Sequence, residues 1–188
     1  MNKNIVMDNI VIGPFMVGVD FSLSCPCICS FNKDFVNSKF YFLTVKETVK
    51  FKSLPKNIEW DVISYNGQLQ RYEVICKKLV KRIKSWNVSE INIEGYSMGA
   101  KGRVFDLAEA TGIFKYNLYQ SGIKINIFPP SQIKKCATGK GNANKALMLD
   151  TLKQECDLGW FSVFETSQIQ SPLNDIVDAY YISRMKNP

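Results

Sequence analysis

Asp20 closes the apolar run Met16-Val17-Gly18-Val19, Glu94 closes Ile91-Asn92-Ile93, and Asp175 and Asp178 stand one helical turn apart close to the C-terminus. A carboxylate at the end of a buried strand is costly unless a cation neutralises it. A pair at i, i+3 on one helix face can complete the same cage from another direction. Hard oxygen donors arriving from two strands and a helix suit Mg2+, and two such ions about 3.5–4 Å apart activate a water and stabilise a leaving oxygen. The set reads as the centre of a metal-dependent phosphodiester hydrolase, with all four acids as ligands. Taken singly, Asp178 would be a helix-surface acid and Asp175 a residue favoured by the positive end of its helix. The constellation is what points to chemistry.

Histidine is absent. That removes the commonest general base, the commonest zinc ligand and every Ser-His or Cys-His mechanism, so hydrolysis by this chain has to use metal-bound water. The cysteines Cys25, Cys27, Cys29, Cys76, Cys136 and Cys156 are scattered rather than set at disulfide-framework spacings, and are expected as reduced thiols. Cys25-Pro26-Cys27-Ile28-Cys29 admits a metal clip. Strand alternation would instead put the three sulfurs on one face as small buried apolar groups, and that reading is preferred.

The chain has 188 residues, 46% hydrophobic and 22% charged, which fits a single domain over 1–188 with 1–15 as a short N-terminal extension. A net charge of +7 around an acidic pocket suggests an enzyme that grips a polyanion, with nucleic acid the leading partner. No apolar stretch reaches the roughly 18 residues of a membrane span. Met1-Asn2-Lys3-Asn4 does not open a long apolar secretory segment, so a cytoplasmic protein is expected. Gly139-Lys140-Gly141 lacks the order of a phosphate-binding loop, and Gly95, Gly99 and Gly102 do not make a dinucleotide fingerprint, so no nucleotide cofactor is expected. These glycines would rather let backbone amides, with Lys101, Arg103, Lys134, Lys140 and Lys145, approach DNA phosphates. Ordinary turns with solvated lysines are the competing reading. Tyr96 beside Glu94 could stack on an unpaired base or pack in the core.

The elements that must position these residues follow from periodicity. Runs at 17–21, 27–31 and 39–45, separated by Asn32-Lys33 and Asn37-Ser38, predict an antiparallel meander of three strands. Residues 48–66, with Pro55, read as a loop. Leu69, Tyr72, Ile75, Leu79, Ile83 and Trp86 then recur at helical spacing over about five turns. On the other face Lys77, Lys78, Lys81, Arg82 and Lys84 read as a solvated surface in preference to a DNA contact. A fourth strand at 90–94 leads through a glycine-bearing loop to a helix carrying Val104, Leu107, Ala108 and Ile113 or Phe114. A fifth strand at 124–128 ends at Pro129-Pro130. Ser131 is expected to cap a short helix through Lys134-Lys135, residues 142–156 read helical, and a final helix spans 173–184 with Ser171 as cap. The expected class is α/β: a mixed five-stranded sheet, three antiparallel strands then two parallel, flanked by helices. By analogy this order matches the ribonuclease H-like fold.

Gly18-Val19-Asp20-x-Ser22, Ile93-Glu94-Gly95-Tyr96, Ile133-Lys134 followed by Gly139-x-Gly141-x-Ala143-x-Lys145, and Asn174-Asp175-x-x-Asp178-Ala179 together resemble the RuvC-type Holliday junction resolvases. The segment from Glu94 through Lys101-Gly102-Arg103 to Glu109 is most similar to the bacteriophage branch. The resemblance runs in order from Met16 to Ile182. It implies a ribonuclease H-like, Mg2+-dependent endonuclease of DNA recombination and repair that nicks four-way junctions at paired, symmetric positions, with Mn2+ able to substitute. By that likeness Asp20, Glu94, Asp175 and Asp178 are the metal ligands, and Lys134 and Lys145 match basic residues near the scissile phosphate. It also implies a homodimer formed through the helix after Gly102 and, for a phage-encoded member, action in the bacterial cytoplasm. The chain departs from the family in the Ser24-Cys25-Pro26-Cys27 turn and in having no histidine beside its C-terminal acids, which leaves a lysine or the metal to neutralise charge there. A broader flap and fork nuclease and a catalytically silent junction-binding protein are the alternatives.

Overall fold

A computed structural model of the chain describes residues 16–46, 48–96, 104–156 and 170–186. Runs of β-branched, aromatic and cysteine residues form six strands: β1 (Val17–Asp20), β2 (Cys27–Asn32), β3 (Asp34–Thr44), β4 (Ile58–Val62), β5 (Glu90–Glu94) and β6 (Lys124–Phe128). Among the described residues five α-helices accompany them: α1 (Gln68–Ser85), α2 (Val104–Gln120), α3 (Pro130–Thr138), α4 (Lys145–Glu155) and α5 (Leu173–Ser183). The strand order is β4-β3-β2-β1-β5-β6. The β1, β2 and β3 strands pair antiparallel, whereas β1 with β5, β5 with β6 and β3 with β4 are parallel.

The mixed α/β sheet is the expected one with one strand more. Residues 58–62 belong to the sheet, not to a loop, as an edge strand beside β3. Its Glu59 and Asp61 disguise the strand in the sequence. Both are taken up by α1, Glu59 by Arg82 at 2.8 Å and Asp61 by Lys78 at 2.7 Å. With Lys77 on Glu73, three of the five cations on that helix face are engaged within the chain, which favours the solvated reading. The turn expected at Asn37-Ser38 is absent, because β3 runs through it. There the Asp34 carboxylate accepts from the Asn37 backbone N–H at 2.9 Å, and the buried Ser38 hydroxyl accepts from the Asn32 N–H at 3.1 Å.

Caps differ as well. Pro129 caps α3 ahead of Pro130, and Ser131 lies inside the helix. The α4 helix starts at Lys145 rather than 142, with the Asn144 side chain accepting from the Leu147 N–H. Pro172 occupies the α5 cap position, one residue past Ser171.

Alternation along the strands divides the core. Val17, Val19, Ile28, Ile91 and Ile93 face α1 and α2, meeting Ile75, Leu79, Ile83, Phe114 and Leu118. Cys27, Cys29, Phe40 and Phe42 face the other way, with Cys25, against α3, α4 and α5. Each fully buried aliphatic side chain contributes about 1.5–3 kcal/mol. The three thiols share one apolar cluster, as expected, and burial pushes the Cys29 thiol up to about 12, so these are inert packing groups. The same alternation turns Gly18, Asp20, Asn92 and Glu94 toward the α5 side.

Candidate active site

The parallel pairing of β1 and β5 sets Gly18 opposite Asn92 and Val19 opposite Ile93, so Asp20 and Glu94 stand side by side at the C-terminal ends of two central strands and on one face. The α5 helix closes that corner. Its backbone lies so near β1 that a Cβ on Gly18 would run into the Ser183 N and the Ala179 O, so only glycine admits this approach. Asn92, completely buried, donates from Nδ2 to the Ile182 carbonyl at 3.0 Å and to the Met185 carbonyl at 2.9 Å. The amide of Asn126 on β6 in turn donates to the Asn92 Oδ1 at 3.1 Å. Gly18 and Asn92 were not singled out by chemistry-bearing residue type. The signal that could have found them is their shared place, two residues before each acid.

Asp20, Glu94, Asp175 and Asp178 line one cavity of about 390 Å³, together with Lys134, Lys145, Tyr96, Ser22 and apolar walls that include Phe21, Leu107, Ile133 and Met148. Four carboxylates sharing a half-buried space repel one another. Burial, then Asp178, Asp175 and Glu94 in turn, push the Asp20 carboxyl well above the usual carboxylate range, with Lys145 opposing. Burial and Asp178 raise Glu94 to about 7 against the pull of Lys145 and Lys134. Burial likewise raises Asp178, offset by Lys145, and raises Asp175, offset first by a hydrogen bond from Ser171. Ser171 thus serves the site instead of capping the helix. Lys145 reaches Asp178 at 3.3 Å; burial lowers its ammonium, but Asp178, Asp20 and Asp175 outweigh that and the net shift is upward.

Two cations, Lys145 and Lys134, among four acids leave negative charge over, and the buried Asp175 Oδ2 has no hydrogen-bond partner. Among the described residues no three carboxylates or thiols are already closed into a metal-holding group. A divalent cation would have to draw these side chains inward from where their backbones converge. The donor set is all hard oxygen, which fits Mg2+, and the orphaned oxygen and the uncompensated charge are what such an ion would satisfy.

Of the expected phosphate contacts, Lys134 and Lys145 lie in the cavity wall. Lys140 is exposed on the α3–α4 loop and is not part of that wall. Lys101 and Arg103 lie outside the described residues. Tyr96 is 46% exposed on the rim, its hydroxyl donating to the Ala108 carbonyl and its ring carrying the Lys115 ammonium 5.2 Å from the centroid, a placement that suits stacking better than core packing. The turn after Asp20 is held from α1. Arg71 donates from Nε to the Leu23 carbonyl at 2.9 Å and again from Nη2, while Ser22 Oγ accepts from the Cys25 N–H at 3.1 Å. Among the described residues no helix is long and apolar enough to cross a membrane.

Residues 52–155 match the family model described as crossover junction endodeoxyribonuclease RuvC. That span includes Glu94, Lys134 and Lys145 and leaves Asp20, Asp175 and Asp178 outside it. Curated proteins of that name from Synechococcus sp. (strain WH7803) and Prochlorococcus marinus (strain NATL2A) are 28% and 27% identical over 89 residues, which are 47% of this chain. The chain spans 58% of the length of these relatives. Among solved structures, Thermus thermophilus RuvC superposes with a TM-score of 0.57 at 13% identity, covering 89% of this chain and 91% of that one. The same protein in complex with Holliday junction substrate superposes at 0.58, also at 13% identity, covering 90% and 92%. The fold is therefore the ribonuclease H-like fold of such resolvases.

Proposed function

This chain belongs to the RuvC family of crossover junction endodeoxyribonucleases, and from that premise we propose that it is a Mg2+-dependent, structure-specific DNA endonuclease that resolves four-way junctions in recombination and repair. The observation that carries the reading is the convergence of Asp20, Glu94, Asp175 and Asp178 on one cavity, with the Asp175 Oδ2 buried and unpartnered. Junction DNA is bound by Thermus thermophilus RuvC, a fold neighbour, and by extension is the substrate here.

Asp20, Glu94, Asp175 and Asp178 would hold two Mg2+ ions, replaceable by Mn2+. Bound there, the ions supply an activated water and charge stabilisation at the leaving oxygen. The protein's own groups do the rest. The carboxylates, raised by burial and mutual repulsion, would hold the ions in their deprotonated forms, so protons and cations would compete for the same oxygens. Lys145, on Asp178, carries positive charge to the position where the phosphate gains negative charge, and Lys134 adds to the same field. Tyr96 offers a ring at the cleft mouth for a base unstacked at the branch point. Apolar walls from Phe21, Leu107, Ile133 and Met148 exclude bulk water and strengthen these interactions. Two symmetric nicks call for two such sites, and a homodimer supplies them.

The test is cleavage of a labelled four-way junction, a linear duplex and a flap in Mg2+, with Asp20→Asn as control. Paired symmetric nicks confined to the junction, lost in the variant while binding persists, are expected. Equal cutting of flaps would widen the activity to branched DNA in general. Binding without any cutting would make the chain a silent junction binder.

A further inference from the structure

Gly18 and Asn92 face each other across β1 and β5, and each stands two residues before its strand's acid. Both meet α5 at the same place. Gly18 admits the helix backbone at Ala179 and Ser183, and the Asn92 amide grips the carbonyls of Ile182 and Met185. Positions 175, 178 and 182 follow at i, i+3 and i+7, which is one face of α5, and Met185 lies just past its end. The face that Asn92 holds is therefore the face that presents Asp175 and Asp178. On the neighbouring strand Asn126, opposite Asn92 in the ladder, fixes the orientation of its amide and leaves Nδ2 pointing at α5.

We propose that Asn92 is a positioning residue of the metal site: it locks the rotation and axial register of α5 against β5, so that Asp175 and Asp178 meet Asp20 and Glu94 around one pair of cations. A slip of one residue would move the helix acids by about 1.5 Å along the axis and about 100° around it, which would take them out of the cavity. Glycine at 18 permits contact but imposes no register, since a bare backbone can be slid along. Asn92 provides direction because its two donors need two specific carbonyls. A fully buried amide spent on the Ile182 carbonyl of the last turn, which also accepts from the Met185 N–H, and on the Met185 carbonyl just past the helix end aims the helix through two directed bonds.

The inference rests on the nuclease reading above, and the experiment separates the two. Asn92→Leu keeps side-chain size and removes the donors; Asn126→Ala leaves the α5 carbonyls with their partner and removes the bond that orients it, along with the bond Asn126 makes to Glu90. For each variant, Mg2+ affinity is measured by calorimetry on the DNA-free protein, junction binding without divalent ions by gel shift, and kcat by cleavage, after circular dichroism confirms folding. Outer partners of metal ligands typically change affinity by about 10–100-fold. Asn92→Leu should weaken Mg2+ binding about tenfold or more and lower kcat with junction affinity unchanged, and Asn126→Ala should do the same to a smaller degree. If Asn92→Leu does not fold, Asn126→Ala alone decides. Folded variants with wild-type Mg2+ affinity and kcat would make Asn92 a fold-stabilising residue only and overturn the proposal. Absence of Mg2+ binding in the wild-type chain would overturn the nuclease reading, and this inference with it.

Discussion

Glu94 is where pH should act on this protein. Its carboxyl is raised from 4.5 to about 7, by burial first and by Asp178 second, and Asp20, Asp175 and Asp178 are raised in the same direction. A carboxyl raised in the folded state binds its proton more tightly there than in the unfolded chain. Its contribution to stability is fully present below the ordinary carboxylate range and is lost as pH rises through the folded value. The metal-free protein should therefore melt at lower temperature at about pH 8 than at about pH 5, with Glu94→Gln flattening that slope. A melting temperature independent of pH over this window would refute the picture of four mutually repelling acids. Cations compete with those protons, so Mg2+ affinity and cleavage should climb through about pH 7. Lys145 opposes the rise at all four acids through its charge. Lys145→Met should thus move the midpoint of the pH–rate profile upward, and the salt slope of junction binding should fall by about one. An unchanged midpoint and slope would remove Lys145 from the site.

Elements, not residues alone, decide whether the acids meet, and α5 on β1 is the decisive contact. Gly18→Ala forces a methyl into the Ala179 carbonyl and the Ser183 amide, both backbone atoms that cannot rotate away. Overpacking of this kind costs about 1–3 kcal/mol. The expected result is a clear drop in melting temperature together with loss of the stabilisation that Mg2+ gives the wild-type chain. Retained Mg2+ stabilisation would mean that α5 can shift without parting the acids. The sequence made the acids legible, because a carboxylate ending an apolar strand is conspicuous, and strands at 90–94 and 124–128 were legible from clean apolar runs. It hid β4, where Glu59 and Asp61 break the pattern and only the cations of α1, distant in the chain, restore it. It hid the seat of α5 for a similar reason. Gly18 looks like any strand glycine and Asn92 like any polar strand residue until the helix from the far end of the chain is laid against them. Local pattern reveals which residues are unusual; what satisfies them is set by tertiary partners.

At the scale of the whole molecule, one surface is left unexplained by a single chain. The α2 helix shows Phe105 at 83%, Tyr116 at 61% and Tyr119 at 73% exposure, and its buried side already packs on α1 and the sheet. Positions 105, 112, 116 and 119 share one helix face, and a Cβ at Gly112 would meet open space. Large aromatics in a row on a solvent face mark an association surface, and glycine between them lets another backbone come close. The proposed homodimer would use this face, in keeping with the implied role of the helix after Gly102. Replacing Phe105 and Tyr116 together by Glu places charge at the centre of such an interface without touching the cavity that holds the acids. The double variant should sediment as a monomer while its Mg2+ affinity stays at the wild-type value. Its attack on a four-way junction should then lose coordination: singly nicked junctions accumulate, because the second cut no longer follows from a partner held on the same substrate. A wild-type chain that sediments as a monomer both alone and on the junction would reject the dimer. Paired nicking by a monomeric double variant would instead show that symmetric resolution does not depend on this face.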